Sequence, residues 1–229
     1  MKLHNRSFGL LFCITILIAM ISMPVSSEER DSQFWGSAIT KAWQSQDKKS
    51  KLFLYGEFRE DNNMRSRSGS FVGPMIRHKI NDNVAIGAGI KFIDFRNSDG
   101  THKYSRRYEA EITPSTALTL ADRIYKFSLR NRLEFIGGSD DKEKTRYRHR
   151  LKVSNKVSEN SYIDSFFMSQ EYIYVTSGID SKLDQTRMIP LGVKLRVDPK
   201  YSVTVFYMIN RKMNSPGKTN NVLGIGVSF

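Results

Sequence analysis

Apolar and polar residues alternate with a period of two along much of this chain, and four stretches carry the pattern clearly. In 83–95, Val84, Ile86, Ala88, Ile90 and Phe92 oppose Ala85, Gly87, Gly89 and Lys91. In 124–136, Tyr125, Phe127, Leu129, Leu133 and Phe135 oppose Lys126, Ser128, Arg130, Arg132 and Glu134. In 185–196, Ile189, Leu191, Val193 and Leu195 oppose Pro190, Gly192, Lys194 and Arg196. In 201–210, Val203, Val205, Tyr207 and Ile209 oppose Ser202, Thr204 and Asn210, with Phe206 and Met208 as apolar exceptions. Successive side chains of a strand point to opposite faces, so each stretch predicts a strand with one apolar and one polar face. With weaker stretches the pattern predicts ten strands: 51–60, 70–79, 83–95, 104–116, 124–136, 145–153, 161–175, 185–196, 201–210 and 220–229. Each is near or above the ~9–11 residues of a tilted membrane strand.

The breaks supply a second signal. Those at 61–69, 96–103, 137–144, 176–184 and 211–219 are long and charged, and those between them are mostly shorter. Alternating long and short connections string an antiparallel membrane barrel, with long extracellular loops and short periplasmic turns. An even count of ten returns both ends of the barrel to the periplasm. Residues 33–43 fit this scheme poorly. Trp35, Ile39 and Trp43 suit one face of a helix but also share strand parity. They are expected in a periplasmic or lumen-entering segment, 28–50, against a barrel of residues 51–229; a strand here would imply twelve.

The first residues set the compartment. Lys2 and Arg6 precede an apolar run from Phe8 to Met23, and Val25 and Ser27 supply the small residues of a cleavage site. Residues 1–27 therefore read as a cleaved secretory signal peptide. Cleavage removes Cys13, the chain's single cysteine, so neither disulfides nor thiol chemistry are expected. Lys2 and Arg6 go with it, leaving 34 basic against 23 acidic residues, a balance of +11. Such a charge suits anionic partners, and export excludes nucleic acid.

On this phasing the charges gather on the inward face. A lumen charge track is expected from Arg59, Arg107, Lys126, Arg130, Arg132, Arg146, Arg148, Arg150, Lys152, Lys194 and Arg196, with Glu57, Glu109, Glu111 and Glu134 as lumen carboxylates. Arginine stays charged and forms forked hydrogen bonds to carboxylates, so the pattern supports either of two functions. One is a narrow channel for small anions or acidic oligosaccharides. The other is a non-conducting structural or interaction barrel whose arginines and glutamates form a packing network. Loop cations such as Arg65, Arg67 and Lys212 suit lipopolysaccharide phosphates. No catalytic residue, cofactor or metal site is expected: His78, His102 and His149 are scattered, and Asp140-Asp141 lies in a charged loop.

The closing strand carries Leu223, Ile225 and Val227 on one face, Gly224 and Gly226 on the other, and ends at Phe229. This resembles the C-terminal signature that bacterial outer-membrane barrels present to the barrel-assembly machinery. An ordered set of further motifs extends the likeness: Trp35, Tyr55-Gly56-Glu57-Phe58-Arg59, Leu129-Arg130-Asn131-Arg132-Leu133-Glu134, Tyr147-Arg148-His149-Arg150-Leu151, Gln170-Glu171-Tyr172 and Leu191-Gly192-Val193. Together they resemble the bacterial outer-membrane β-barrel domain-of-unknown-function family 2490, over most of 33–229. The resemblance implies an all-β antiparallel transmembrane barrel in the outer membrane, facing lipid and lipopolysaccharide, and brings no established activity. The arginine-rich interior is also similar in style to oligogalacturonate-specific porins.

Overall fold

A computed structural model describes residues 29–229 except 98, 122, 139–142, 158–160, 178–179, 199 and 214–217. The expected signal peptide therefore lies outside the described residues, as do Asp140 and Asp141. The described residues form eleven strands: β1 Glu29–Gln44, β2 Ser50–Asp61, β3 Ser66–Lys79, β4 Val84–Arg96, β5 His102–Leu120, β6 Arg123–Gly137, β7 Lys144–Lys156, β8 Ile163–Ser177, β9 Asp180–Asp198, β10 Tyr201–Lys212 and β11 Lys218–Ser228. Each pairs antiparallel with its chain neighbours, and β1 closes the barrel by pairing in parallel with β11.

The wall thus begins at Glu29, not at Lys51, and the expected counts of ten or twelve give way to eleven. Residues 33–43, expected to lie against or inside the barrel, are part of its first strand. β1 lies between β11 and β2, with Phe34 opposite both Leu223 and Glu60. A parallel closure needs no even count, because the first strand runs in the same direction as the last. The ladder continues through the chain end: Phe229 N–H donates to the Ile39 carbonyl and Lys41 N–H to the Phe229 carbonyl. Phe229 also meets Tyr201 edge-on at 5.4 Å.

The expected alternation of long and short connections is also absent. β2 ends at Asp61 and β3 starts at Ser66, while β8 ends at Ser177 and β9 starts at Asp180. Polar composition marks where the apolar outer band stops, but the backbone ladder runs past that edge, so 66–69 and 180–184, expected as loop, are strand. Several of the described connections are tight reversals. In one, Asn62, Asn63 and Met64 all take positive φ, and Asn63 N–H donates to Asp31 while Met64 N–H donates to the Ser32 carbonyl, tying the reversal to β1. In another, the Ser45 hydroxyl and the Lys49 amide hold the Asp47 carboxyl below its ordinary range.

Inward faces alternate with outward ones as the pleat requires. Outside stand Leu54, Val72, Phe92, Phe135, Leu151 and Leu223, each large, apolar and exposed. Where two inward or two outward positions meet across strands, glycine often faces phenylalanine. Gly36 pairs with Phe58, Gly192 with Phe167 and Gly224 with Phe206, and in each pair the ring lies over the glycine. The ring covers backbone that a glycine leaves bare and fills the wall with one bulky group where two would clash. Irregularities change parity locally. At β9 the ladders shift between Met188 and Leu191, where Pro190 has no N–H to give. Ile189, expected to face outward with Leu191, packs inward as a result. A shift between Lys41 and Trp43 likewise leaves Trp43 on the outside, 52% exposed.

Gly73 has no such freedom. The β3–β4 ladder skips Gly73 and Pro74, and a Cβ at Gly73 would collide with the Ile90 carbonyl, whereas one at Gly56 meets nothing. Gly73→Ala is expected to cost about 1–3 kcal/mol of stability in urea unfolding of the refolded protein. Gly56→Ala should stay within about 0.5 kcal/mol of wild type.

Candidate functional site: the charged lumen

Five carboxylates organise the interior, and β6 supplies the most buried. Glu134 has no exposed surface and stands opposite Arg146 of β7. Its oxygens lie 2.7 Å from Arg146 and 2.6 Å from Arg148, with Arg107 and Arg132 each 3.8 Å away. Arg148 turns its second nitrogen to Glu171 of β8 at 2.8 Å. Glu171 also receives Arg130 at 2.7 Å and lies 3.9 Å from Arg187 of β9. On the other side of Glu134, Arg132 donates to Glu111 at 2.6 Å and pairs with Glu109 at 2.8 Å. Lys91 of β4 reaches Glu109 at 3.2 Å, and Arg77 of β3 reaches Glu111 at 2.9 Å. One connected web therefore runs across the inner face from β3 to β9.

A separate pair borders it. Glu57 of β2 accepts Arg59 at 2.6 Å and the Tyr55 hydroxyl. The Arg59 guanidinium lies 3.8 Å from the centroid of Trp35, and Arg187 approaches the same indole at 5.0 Å. Trp35 marks a boundary, because the wall beyond it is apolar. Trp35, Met208 and Val222 form a buried cluster, with Ile189 and Phe206 packed on it. Phe206 and Met208, the exceptions in the β10 alternation, are there because their neighbours across the seam are apolar or glycine. A cavity of about 350 Å³ remains between the two walls.

The expected lumen residues separate into groups. Arg107, Arg130, Arg132, Arg146 and Arg148, with Glu109, Glu111 and Glu134, meet in the web. Arg59 and Glu57 sit beside it. Arg150 and Lys152 line the cavity without an ion pair among the described residues. Lys126 is exposed at the end of the barrel where Phe229 lies, and Lys194 and Arg196 pair there with Asp164 at 3.6 and 2.8 Å. In β11, Leu223 is exposed, Ile225 and Val227 are half-buried, and Phe229 is exposed.

Sequence reasoning missed Glu171, Arg187, Lys91, Arg77 and Trp35 as members of the site. Glu171 shares its face with Phe167, Ser169 and Ile173, so β8 shows no clear polar side. The β9 shift at Pro190 hides Arg187. Lys91 was legible, since it opposes an apolar face in β4.

A model of the family described as "Protein of unknown function (DUF2490)" matches residues 32–221. The chain belongs to that family. The DUF2490 match starts within β1 and ends within β11, so it takes in every member of the web. No curated protein matches the sequence. Among solved structures, the beta domain of the Bordetella autotransporter Brka is similar with a TM-score of 0.46 and 8% identity, covering 78% of this chain and 81% of that one.

The chemistry available to this DUF2490 barrel is charge pairing and anion contact. Each described histidine is engaged outside the web: His102 with Asp94 at 2.9 Å, His149 with Asn131 at 2.6 Å, and His78 with Ser50 at 2.8 Å. Ser50 and His78 are direct partners across β2 and β3, but among the described residues no carboxylate bonds the ring to orient it as a base, the third member such a nucleophile needs.

Removing one partner from a buried pair leaves the other charge uncompensated. Glu134→Ala is expected to cost about 3–5 kcal/mol, read as a lower urea midpoint. Replacing Glu134, Arg146 and Arg148 together by Leu, Met and Met should recover most of that loss, because no buried charge is then orphaned at this point.

Proposed function

We propose that this chain is a bacterial outer-membrane β-barrel whose lumen is closed across its middle by the arginine–glutamate web, a non-conducting barrel at rest. The supporting observation is its inverted polarity. Glu134, Arg132, Arg107 and Glu171 are buried, while Phe92, Phe135, Leu151 and Leu223 are exposed on a wall with no open strand edge. Water stabilises the reverse arrangement; a hydrocarbon surround stabilises this one. With Phe229 on the periplasmic side, the start of β1 opens at the outer surface. Arg65, Arg67, Lys144 and Lys212 lie at that same end, placed for lipopolysaccharide phosphates.

Closure follows from the span of the web. Arg148 alone joins Glu134 to Glu171, and Arg132 joins Glu109 to Glu111, so moving any one of these side chains uncovers a buried charge. A narrow anion channel is the second reading, favoured by the cavity and by the inward cations that outnumber the carboxylates. Planar-bilayer recording separates the two. Wild-type protein is expected to pass no steady chloride current, and a Glu134→Ala, Glu171→Ala double variant to pass more than wild type. A steady anion-selective wild-type current, reduced by Arg148→Glu or Arg150→Glu, would overturn the closed-lumen reading.

A further inference from the structure

We propose that Arg150 and Lys152, with Arg130 beside them, form a binding site for a small divalent oxyanion of the phosphate or sulfate class, in the lumen on the Phe229 side of the web. The inference rests on the barrel reading above and adds a ligand class and a location to it.

The argument begins with the carboxylates. Glu171 is the one directly opposite Arg150 across β7 and β8, yet its oxygens are taken by Arg130 at 2.7 Å and Arg148 at 2.8 Å. Arg150 therefore has no ion pair or hydrogen bond among the described residues, and its buried Nε–H has no acceptor. Its direct partner on the other side is Arg130, whose Nε–H is also buried without an acceptor. Two guanidiniums opposite one another on adjacent strands repel, and a buried donor left unsatisfied costs about 1–3 kcal/mol. Neighbouring side chains leave that cost in place; an anion between them would offset it.

The next inward residue of β7 continues the pattern. Lys152 faces Ser128 and Ser169 across its two ladders, so neither neighbour neutralises it. Its ammonium lies 4.1 Å from the centroid of Phe167, and that ring is its described partner. A ring face attracts a cation without consuming its charge, which leaves the ammonium available for a second contact. Arg130, Arg150, Lys152, Phe167 and Ser169 all border the same 350 Å³ cavity. Lys126, nearer the mouth, continues the same sign toward solvent.

Three cations around one cavity suit a ligand of more than one charge. A guanidinium fork matches two oxygens of a tetrahedral oxyanion, and the ammonium and the Ser169 hydroxyl suit the others. Chloride offers one charge and no such geometry. The web and this site also divide the inner face by chemistry: on the far side each carboxylate is shared between cations, whereas here only Arg130 touches a carboxylate, Glu171, and Arg150 and Lys152 touch none among the described residues.

The test uses the full refolded chain in detergent micelles, with radiolabelled inorganic phosphate in chloride buffer and unlabelled sulfate as competitor. Saturable binding of one phosphate per chain, displaced by sulfate, is expected. Arg150→Gln and Lys152→Gln should each weaken it about tenfold, and Lys212→Gln, at the opposite end of the barrel, should leave it unchanged. Phosphate should also raise the urea midpoint of wild type and not of a doubly substituted Arg150→Gln, Lys152→Gln protein. That protein relieves repulsion and is expected to fold at least as stably as wild type without phosphate. Absence of saturable binding, or binding that neither substitution weakens, or equal weakening by Lys212→Gln, would overturn the site. These results are independent of conductance: a steady wild-type current refutes the closed lumen and not the site, while lost phosphate binding does the reverse.

Discussion

Closure of the backbone ladder is the constraint on which the rest of this molecule depends. A sheet with apolar residues on its outer face and charges on its inner face has no place for an unpaired edge, because neither hydrocarbon nor a packed interior supplies a partner for bare N–H and C=O groups. Here the requirement is met by β1 running alongside β11, with the terminal Phe229 still bonded into the seam. The parallel seam sets the odd strand count. It also brings Trp35 to the inner face beside Val222 and Met208, creating an apolar sector of the lumen.

Given that closed wall, the interior balances opposing electrostatic demands. Arginines on adjacent strands repel, and burying each alone would be prohibitive. Sharing solves most of this: one glutamate serves two or three guanidiniums, and one guanidinium bridges two glutamates, as Arg148 does between Glu134 and Glu171. Such sharing fixes the relative positions of several strands at once. It also means that the carboxylates are exhausted before the cations are. The remainder is concentrated at Arg150 and Lys152 rather than spread over the inner face.

Much of the fold was legible in the sequence because period-two alternation against two different environments leaves a strong imprint. The ten expected strands from residue 51 onward correspond to β2 through β11, and in β6 Leu129, Leu133 and Phe135 are exposed while Arg132 and Glu134 are buried. Three things were not legible. β1 carries Gly36, Ser37 and Ala38 where a strong alternation would need large apolar groups, so its strand character rests on pairing with β11 across the whole chain. Strand ends were lost because polarity reports the surrounding medium and not the hydrogen bonding. Parity failed before Pro190, where a local shift exchanges the two faces and conceals Arg187. Composition on one strand cannot report a shift that exists only in relation to its neighbours.

The chain's two tryptophans occupy opposite environments. Trp35 is nine-tenths buried, its indole N–H donates to Gln33, and two guanidiniums flank its ring. Trp43, eight residues on and past a shift in register, looks outward. The molecule therefore contains two optical reporters with separate fields of view. The indole of Trp35 senses the electric field among the lumen arginines, while that of Trp43 senses whatever surrounds the barrel. A charge entering or leaving the interior registers in the emission of the first and is invisible to the second.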